Sequence, residues 1–196
     1  ATDFRAMRDL QLDDVFICMQ EVDFVRFPGK INYGPSLAKE QGIRPLALFW
    51  GALNLFGGGR SSHFLLSHPA AFQVGLDGSH ISEGCYVNPM CVTYLQGLID
   101  TVAAAGFAGY FVDEPTPLRD CYCAACRARY DALYTGDLAT APVEQREAFR
   151  QQCVVDYVRT IADYCKANHP HLETFCCLMP HDDALWEPVA QIATLD

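Results

Sequence analysis

Positive charge is scarce in this chain. Lys and Arg total 14 against 24 Asp and Glu, a net charge of −10. No basic stripe can form, which argues against a nucleic-acid backbone as partner. Apolar runs of membrane-spanning length are missing, so no membrane partner is expected. The N-terminus lacks the basic-then-apolar pattern of a secretion signal. Internal repeats and low-complexity segments are absent as well. What remains is a globular composition, 51% apolar and 19% charged over 196 residues. That suffices for one domain with a substantial core.

Cysteine, by contrast, is abundant: there are ten. A chain of this length and apolar content needs no disulfide framework. Cys18, Cys176 and Cys177 fall in apolar strand-like runs, and Cys153 and Cys165 on a helix. They read as buried thiols acting as small hydrophobes. The expected compartment is a reducing one, the cytoplasm.

Apolar patterning alternates between helix and strand. Residues 3–10 read as the end of a helix, and Val15 to Met19 as a strand buried on both faces. A Gly- and Pro-rich loop follows from Phe27 to Pro35, then a short helix over 36–41. Pro45 to Trp50 is the next strand, 61–67 a short helix and 70–88 irregular. Asn88-Pro89 opens a helix with Val92, Leu95, Leu98, Ile99 and Val102 at helical spacing, closed by Gly106. Tyr110 to Val112 is a third strand, stopped by Asp113-Glu114-Pro115. Helices over 124–134 and 143–167, a strand from Thr174 to Met179 and a helix over 183–193 complete the pattern. Such alternation predicts a parallel sheet covered by helices. About four strands are visible, too few for an eight-stranded barrel of roughly 250 residues. The chain begins within a helix and ends at Thr-Leu-Asp, where another strand is expected. Part of a barrel is therefore expected, with residues 1–196 as a single partial domain.

In a parallel sheet, polar groups at the C-terminal strand ends face the ligand crevice. The first strand end offers Gln20, Glu21 and Asp23, and the second Trp50 and Asn54. The third offers Asp113 and Glu114, and the fourth His181, Asp182 and Asp183. Acids, amides and an indole on one rim suit a sugar. Glu114, at a strand end beside Asp113 and walled by aromatics, is expected to have a raised carboxyl pKa. A general acid that protonates a glycosidic oxygen requires this. The plain alternative is a solvated or loop-capping acid. Phe56-Gly57-Gly58-Gly59 lacks the lysine and hydroxyl residue of a phosphate loop. His63, His68, His80 and His181 show no metal-binding spacing.

Three thiolates in Cys121-Tyr-Cys123-Ala-Ala-Cys126 can converge on one tetrahedral metal ion. Cys85 or Cys91 would supply the fourth ligand. The rival reading is a Cys123/Cys126 redox pair.

These motifs, in order, resemble the barrel domain of glycoside-hydrolase-like proteins. They are Gln20-Glu21-Val22-Asp23, Phe49-Trp50-Gly51, Phe56-Gly57-Gly58, Ser67-His68-Pro69, Cys85-Tyr-Val-Asn88-Pro89, Gly109 to Pro115 and the cysteine cluster. The acid followed by CxCxxC is similar to the zinc-bearing beta-galactosidases of glycoside hydrolase family 42. The resemblance implies a (β/α) barrel of TIM type, of which this chain covers about strands 2–5. It implies structural zinc on Cys85, Cys121, Cys123 and Cys126, and Glu114 as acid/base at the end of the fourth barrel strand. A retaining glycosidase with a carbohydrate substrate follows, its nucleophile on a strand outside this chain. Asp113 stands where the clan has asparagine. This departure and the missing nucleophile keep a second expectation open, a non-catalytic carbohydrate-binding barrel with a structural zinc site. Glu21, Asp23, Trp50, Asn54, Asp113 and His181 are the expected substrate contacts.

Overall fold

A computed structural model describes residues 2–49, 62–113, 115, 120–179 and 183–195. Helix α1 (Thr2–Asp9) leads into β1 (Asp14–Met19), α2 (Glu21–Arg26), α3 (Pro28–Glu40) and β2 (Arg44–Phe49). Then come α4 (His63–Ser67), a 3-10 turn (Pro69–Ala71), the short strands β3 (Phe72–Val74) and β4 (His80–Gly84), and α5 (Pro89–Ala104). The remainder is β5 (Gly109–Val112), α6 (Ala124–Tyr134), α7 (Val143–Asn168), β6 (Glu173–Cys176), α8 (Asp183–Ala190) and β7 (Thr194–Leu195). Five strands form one parallel sheet in the order β1-β2-β5-β6-β7. Consecutive order with helical crossovers is that of a partial (β/α) barrel. The four expected strands are joined by the two-residue β7, at the Thr-Leu-Asp end where a further strand is expected.

The two sheet faces differ. Met19, Ala47, Phe49, Tyr110, Val112 and Cys176 join the main core with the buried sides of α5 and α7. Leu46, Phe111 and Phe175 form a separate cluster on the other face. Gly109 sits between them, and a Cβ there would come within 2.8 Å of both Leu46 Cδ2 and Phe175 Cε2. Below that cluster Arg44 binds Asp14 of β1 at 2.6 and 2.9 Å and Glu173 of β6 at 3.0 Å. Thr194 of β7 donates to the same Glu173 carboxylate at 3.1 Å. This polar row ties strands across the sheet at their N-terminal ends.

Three expectations are corrected. The Phe27–Pro35 segment is helical, and Pro35 lies inside α3. Pro28 occupies its first turn, where a missing N–H is harmless. Ile31, Pro35 and Ala38 are buried at i, i+4 and i+7, so apolar burial overrides the helix-breaking tendency of Pro35. The 70–88 stretch is not irregular but contains the antiparallel pair β3–β4. Its tight turn is set by Asp77, whose Oδ1 accepts from Ser79 N at 2.9 Å and Ser79 Oγ at 2.6 Å. Finally, β1 alternates in exposure rather than being buried on both faces, and Cys18 is exposed. Among the described strands β1 lies at the edge of the sheet, paired only with β2, so its side chains have strand neighbours on one side only.

Candidate metal centre and strand-end site

β5 is buried at all four positions, Gly109 to Val112, and pairs with β2 and β6. At its end Cys177 N donates to Val112 O at 3.2 Å, which continues the β5–β6 pairing. Asp113 follows, half-buried, at the C-terminal rim. Glu114, Trp50, Asn54 and His181 lie outside the described residues.

The two acids after β1 serve the fold. Asp23 is buried in the first turn of α2 and accepts from Gln20 N at 3.0 Å, so it caps the helix it belongs to. Glu21 accepts from the backbone N–H groups of His63 (3.0 Å) and Phe64 (2.7 Å) and from Tyr94 Oη (2.8 Å). Burial, reinforced by the charge of Glu21, pushes the Tyr94 hydroxyl well above the usual phenol range. One carboxylate thereby ties α2 to α4 and α5. Sequence reasoning missed Tyr94, because nothing local marks a tyrosine 73 residues away as the partner.

The cysteines converge. Cys85 follows β4, Cys121 and Cys123 precede α6, and Cys126 lies in its first turn. Their four sulfurs lie within 4.8 Å of one another, and all four residues are buried. Cys85 Sγ is 3.5 Å from Cys126 Sγ and 3.7 Å from Cys123 Sγ. Four thiolates at about 2.3 Å around a tetrahedral ion stand roughly 3.8 Å apart, so the sulfur spacing fits such an ion. The donor set is soft and closed, with no carboxylate or imidazole in it. Hydrogen bonds from Cys121, Cys126 and Cys85 hold the Cys123 thiol well below the ordinary range. The sulfurs of Cys121 and Cys123 push Cys126 above it. Cys91 stands apart: its thiol points to Ala71 O at 3.4 Å and packs with Leu65 and Ala71.

Backbone and side-chain contacts also frame this knuckle. Tyr122 N donates to Val74 O of β3 at 2.6 Å. Arg127 Nε donates to Tyr122 O at 2.9 Å, and its guanidinium lies 5.7 Å from the Tyr122 ring centre. Arg150 of α7 pairs with Asp120. None of these partners carries a sequence signal of its own.

No protein-family profile matches the sequence. No curated protein matches it either. Solved structures do. A beta-galactosidase from the Antarctic haloarchaeon Halorubrum lacusprofundi is 15% identical and superposes with a TM-score of 0.71, covering 100% of this chain and 37% of that one. A beta-galactosidase from the psychrophilic Marinomonas ef1 is 12% identical with a TM-score of 0.72, covering 100% and 38%. A GH42 beta-galactosidase from G. stearothermophilus is 11% identical with a TM-score of 0.66, covering 92% and 33%. The chain thus spans little more than a third of the length of these proteins at low identity, and what it shares with them is the fold, a partial (β/α) barrel of the kind found in beta-galactosidases.

Proposed function

We propose that this chain carries the proton-donor end of a retaining glycoside hydrolase active site, with Glu114 as general acid/base. The supporting observation is the position of Asp113, the residue before Glu114. It ends the fully buried central strand of a sheet whose fold is shared with beta-galactosidases. In this reading Glu114 gives its proton to the glycosidic oxygen as the bond breaks. It then takes a proton from the water that releases the sugar. The nucleophile is a second carboxylate, about 5–5.5 Å away in retaining enzymes, supplied from outside this chain. Asp113, Trp50, Asn54 and His181 address the sugar in this reading. Glu21 and Asp23 already hold protein partners and act by supporting the C-terminal rim.

Residues 1–196 act as one partial barrel domain, and the substrate is a carbohydrate. Cys85, Cys121, Cys123 and Cys126 hold zinc. A bound zinc ion supplies a structural cross-link between the β3–β4 hairpin and the start of α6, not a reaction step. None of the ten cysteines is in a disulfide, which suits a reducing compartment such as the cytoplasm. Among the described residues no helix is long and apolar enough to cross a membrane.

Asp113 also motivates a second reading, because the clan has asparagine there. In that reading the barrel binds carbohydrate without cleaving it. Glu114→Gln in the complete protein separates the two. Loss of hydrolysis on a panel of aryl glycosides, aryl β-galactosides included, by roughly 10²–10⁴-fold supports the acid/base role. Unchanged turnover of a cleaved substrate sinks it. Galactose binding with no turnover in the parent protein supports the second reading.

A further inference from the structure

We infer that Asp113 is a specificity-determining residue, which selects glycosides whose sugar carries a protonated amino group in place of the hydroxyl beside the reacting carbon. The inference rests on the acid/base reading of Glu114 and names the substrate class of that site.

The strand before Asp113 is buried at every position and paired on both sides, with β2 and β6. Cys177 N donates to Val112 O, so the pairing holds up to the residue that Asp113 follows. Asp113 is half-buried at the C-terminal rim, where a parallel sheet opens its ligand crevice. Its attachment to the core is therefore rigid, as a discriminating contact requires. Glu21 and Asp23, the acids after β1, accept backbone N–H groups of the fold and do not choose a substrate. Glu114 acts at the oxygen on the anomeric carbon. Consecutive Cα atoms stand about 3.8 Å apart, so the residue one step earlier addresses a ring position beside that carbon. One neighbour is the ring oxygen, which has no hydrogen to give. The other is the carbon that bears the 2-substituent, whose contacts strengthen in the transition state.

The chemistry of the side chain then selects the substituent. An asparagine amide both donates and accepts, which suits a hydroxyl that does the same. An ionised aspartate only accepts, and it brings a full negative charge. An ammonium group is its complement: it only donates, and its charge is opposite. The resulting charge-assisted hydrogen bond is about twice as strong as a neutral one, and a half-buried setting strengthens it further. The net charge of −10 adds attraction for a cationic sugar over longer range. A neutral sugar gains from neither effect.

The test uses the complete protein and matched aryl β-galactosides and aryl β-glucosides that differ only in the 2-substituent: hydroxyl, amino or acetamido. Binding of galactosamine, glucosamine, galactose and glucose is measured by calorimetry alongside, so the result does not depend on turnover. The amino glycosides are expected to exceed the hydroxyl and acetamido ones by about 10–100-fold in kcat/KM, the worth of a hydrogen bond to a charged group. That advantage should fade as pH rises and the sugar amine loses its proton. Asp113→Asn should remove most of the preference for the amine. The parent's own preference needs no variant, so it decides even where Asp113→Asn fails to fold. Absence of an amine preference in both hydrolysis and binding overturns the inference, as does the same preference in a folded Asp113→Asn. Glu114→Gln keeps the two proposals apart. Lost hydrolysis with the amine preference in binding intact supports both, whereas full hydrolysis in that variant overturns the reading of Glu114 instead.

Discussion

The Cys85 sulfur lies 3.5 Å from that of Cys126, although 41 residues separate them in sequence. The hairpin β3–β4 and helix α6 meet at this point, and the contact decides which thiols share a site.

The first prediction concerns the metal. Purified protein is expected to carry one zinc per chain. Cys85→Ser should lose it and melt at a lower temperature, since a structural metal site contributes to folding outright. Cys91→Ser should keep its zinc, because that thiol faces Ala71 O. Elemental analysis with thermal unfolding decides. Equal zinc content in the two variants would count against the four-sulfur site.

The second concerns the Glu21 clamp. Glu21→Ala strips two helix-end N–H groups and one phenol of their acceptor. A loss of about 2–3 kcal/mol is expected, in line with hydrogen bonds to a charged group. Tyr94→Phe removes a single bond and should cost about 1 kcal/mol. Denaturant unfolding of both variants and of the double variant should show less than additive effects. Strict additivity would mean that the two side chains do not interact in solution.

A third prediction concerns Gly109. Its added Cβ would lie 3.0 Å from Glu173 O as well as against Leu46 and Phe175. The backbone carbonyl cannot rotate away as a side chain can. Gly109→Ala is expected to destabilise by about 1–3 kcal/mol through overpacking. A chemical denaturation curve that overlays the parent's would refute this.

The fourth is pH dependence at the α5–α7 contact. Tyr164 Oη and His169 Nε2 both reach Asp100 Oδ1 at 2.6 Å. The Tyr164 hydrogen bond, with the one from His169, lowers the Asp100 pKa. A carboxyl lowered on folding stabilises above its unfolded value of about 3.9, and that contribution is lost as pH falls through the folded value. In turn Asp100 pushes the Tyr164 hydroxyl up to about 12. Its contribution is whole below the unfolded phenol value of about 10 and is lost as pH rises through about 12. Asp100→Asn should flatten the melting temperature against pH at both extremes. A variant with the parent's full acid and alkaline losses would show that other groups set them.

Much of this protein was legible from local pattern. Asn88-Pro89 and Gly106 bracket α5 because a cap and a left-handed stop act within a few residues of themselves. The apolar run Tyr110–Val112 announced a buried strand, and Cys121, Cys123 and Cys126 announced a shared site through spacing alone. Partial-barrel architecture followed from the alternation of elements. Less legible was α3, where burial of Ile31, Pro35 and Ala38 outweighs the propensity of its prolines. The β3–β4 hairpin was hidden too, since its strands are short and held by an Asp77 turn rather than by a hydrophobic period.

The sequence by itself determined the order of elements and the chemistry of their ends: acids after β1 and β5, and three thiols at the start of α6. Those properties depend on neighbours along the chain. Only the tertiary structure decided which thiol completes the cluster, which acids are taken up by the fold, and which side chains hold the knuckle. Cys85 and Cys91 are close in sequence, yet one ends a strand beside α6 and the other turns into a separate apolar cluster. Glu21 looked like a free rim acid until the α4 backbone and Tyr94 arrived to occupy it. Such contacts are set by how packed elements dock, and docking reflects the burial of whole faces rather than the spacing of any short motif.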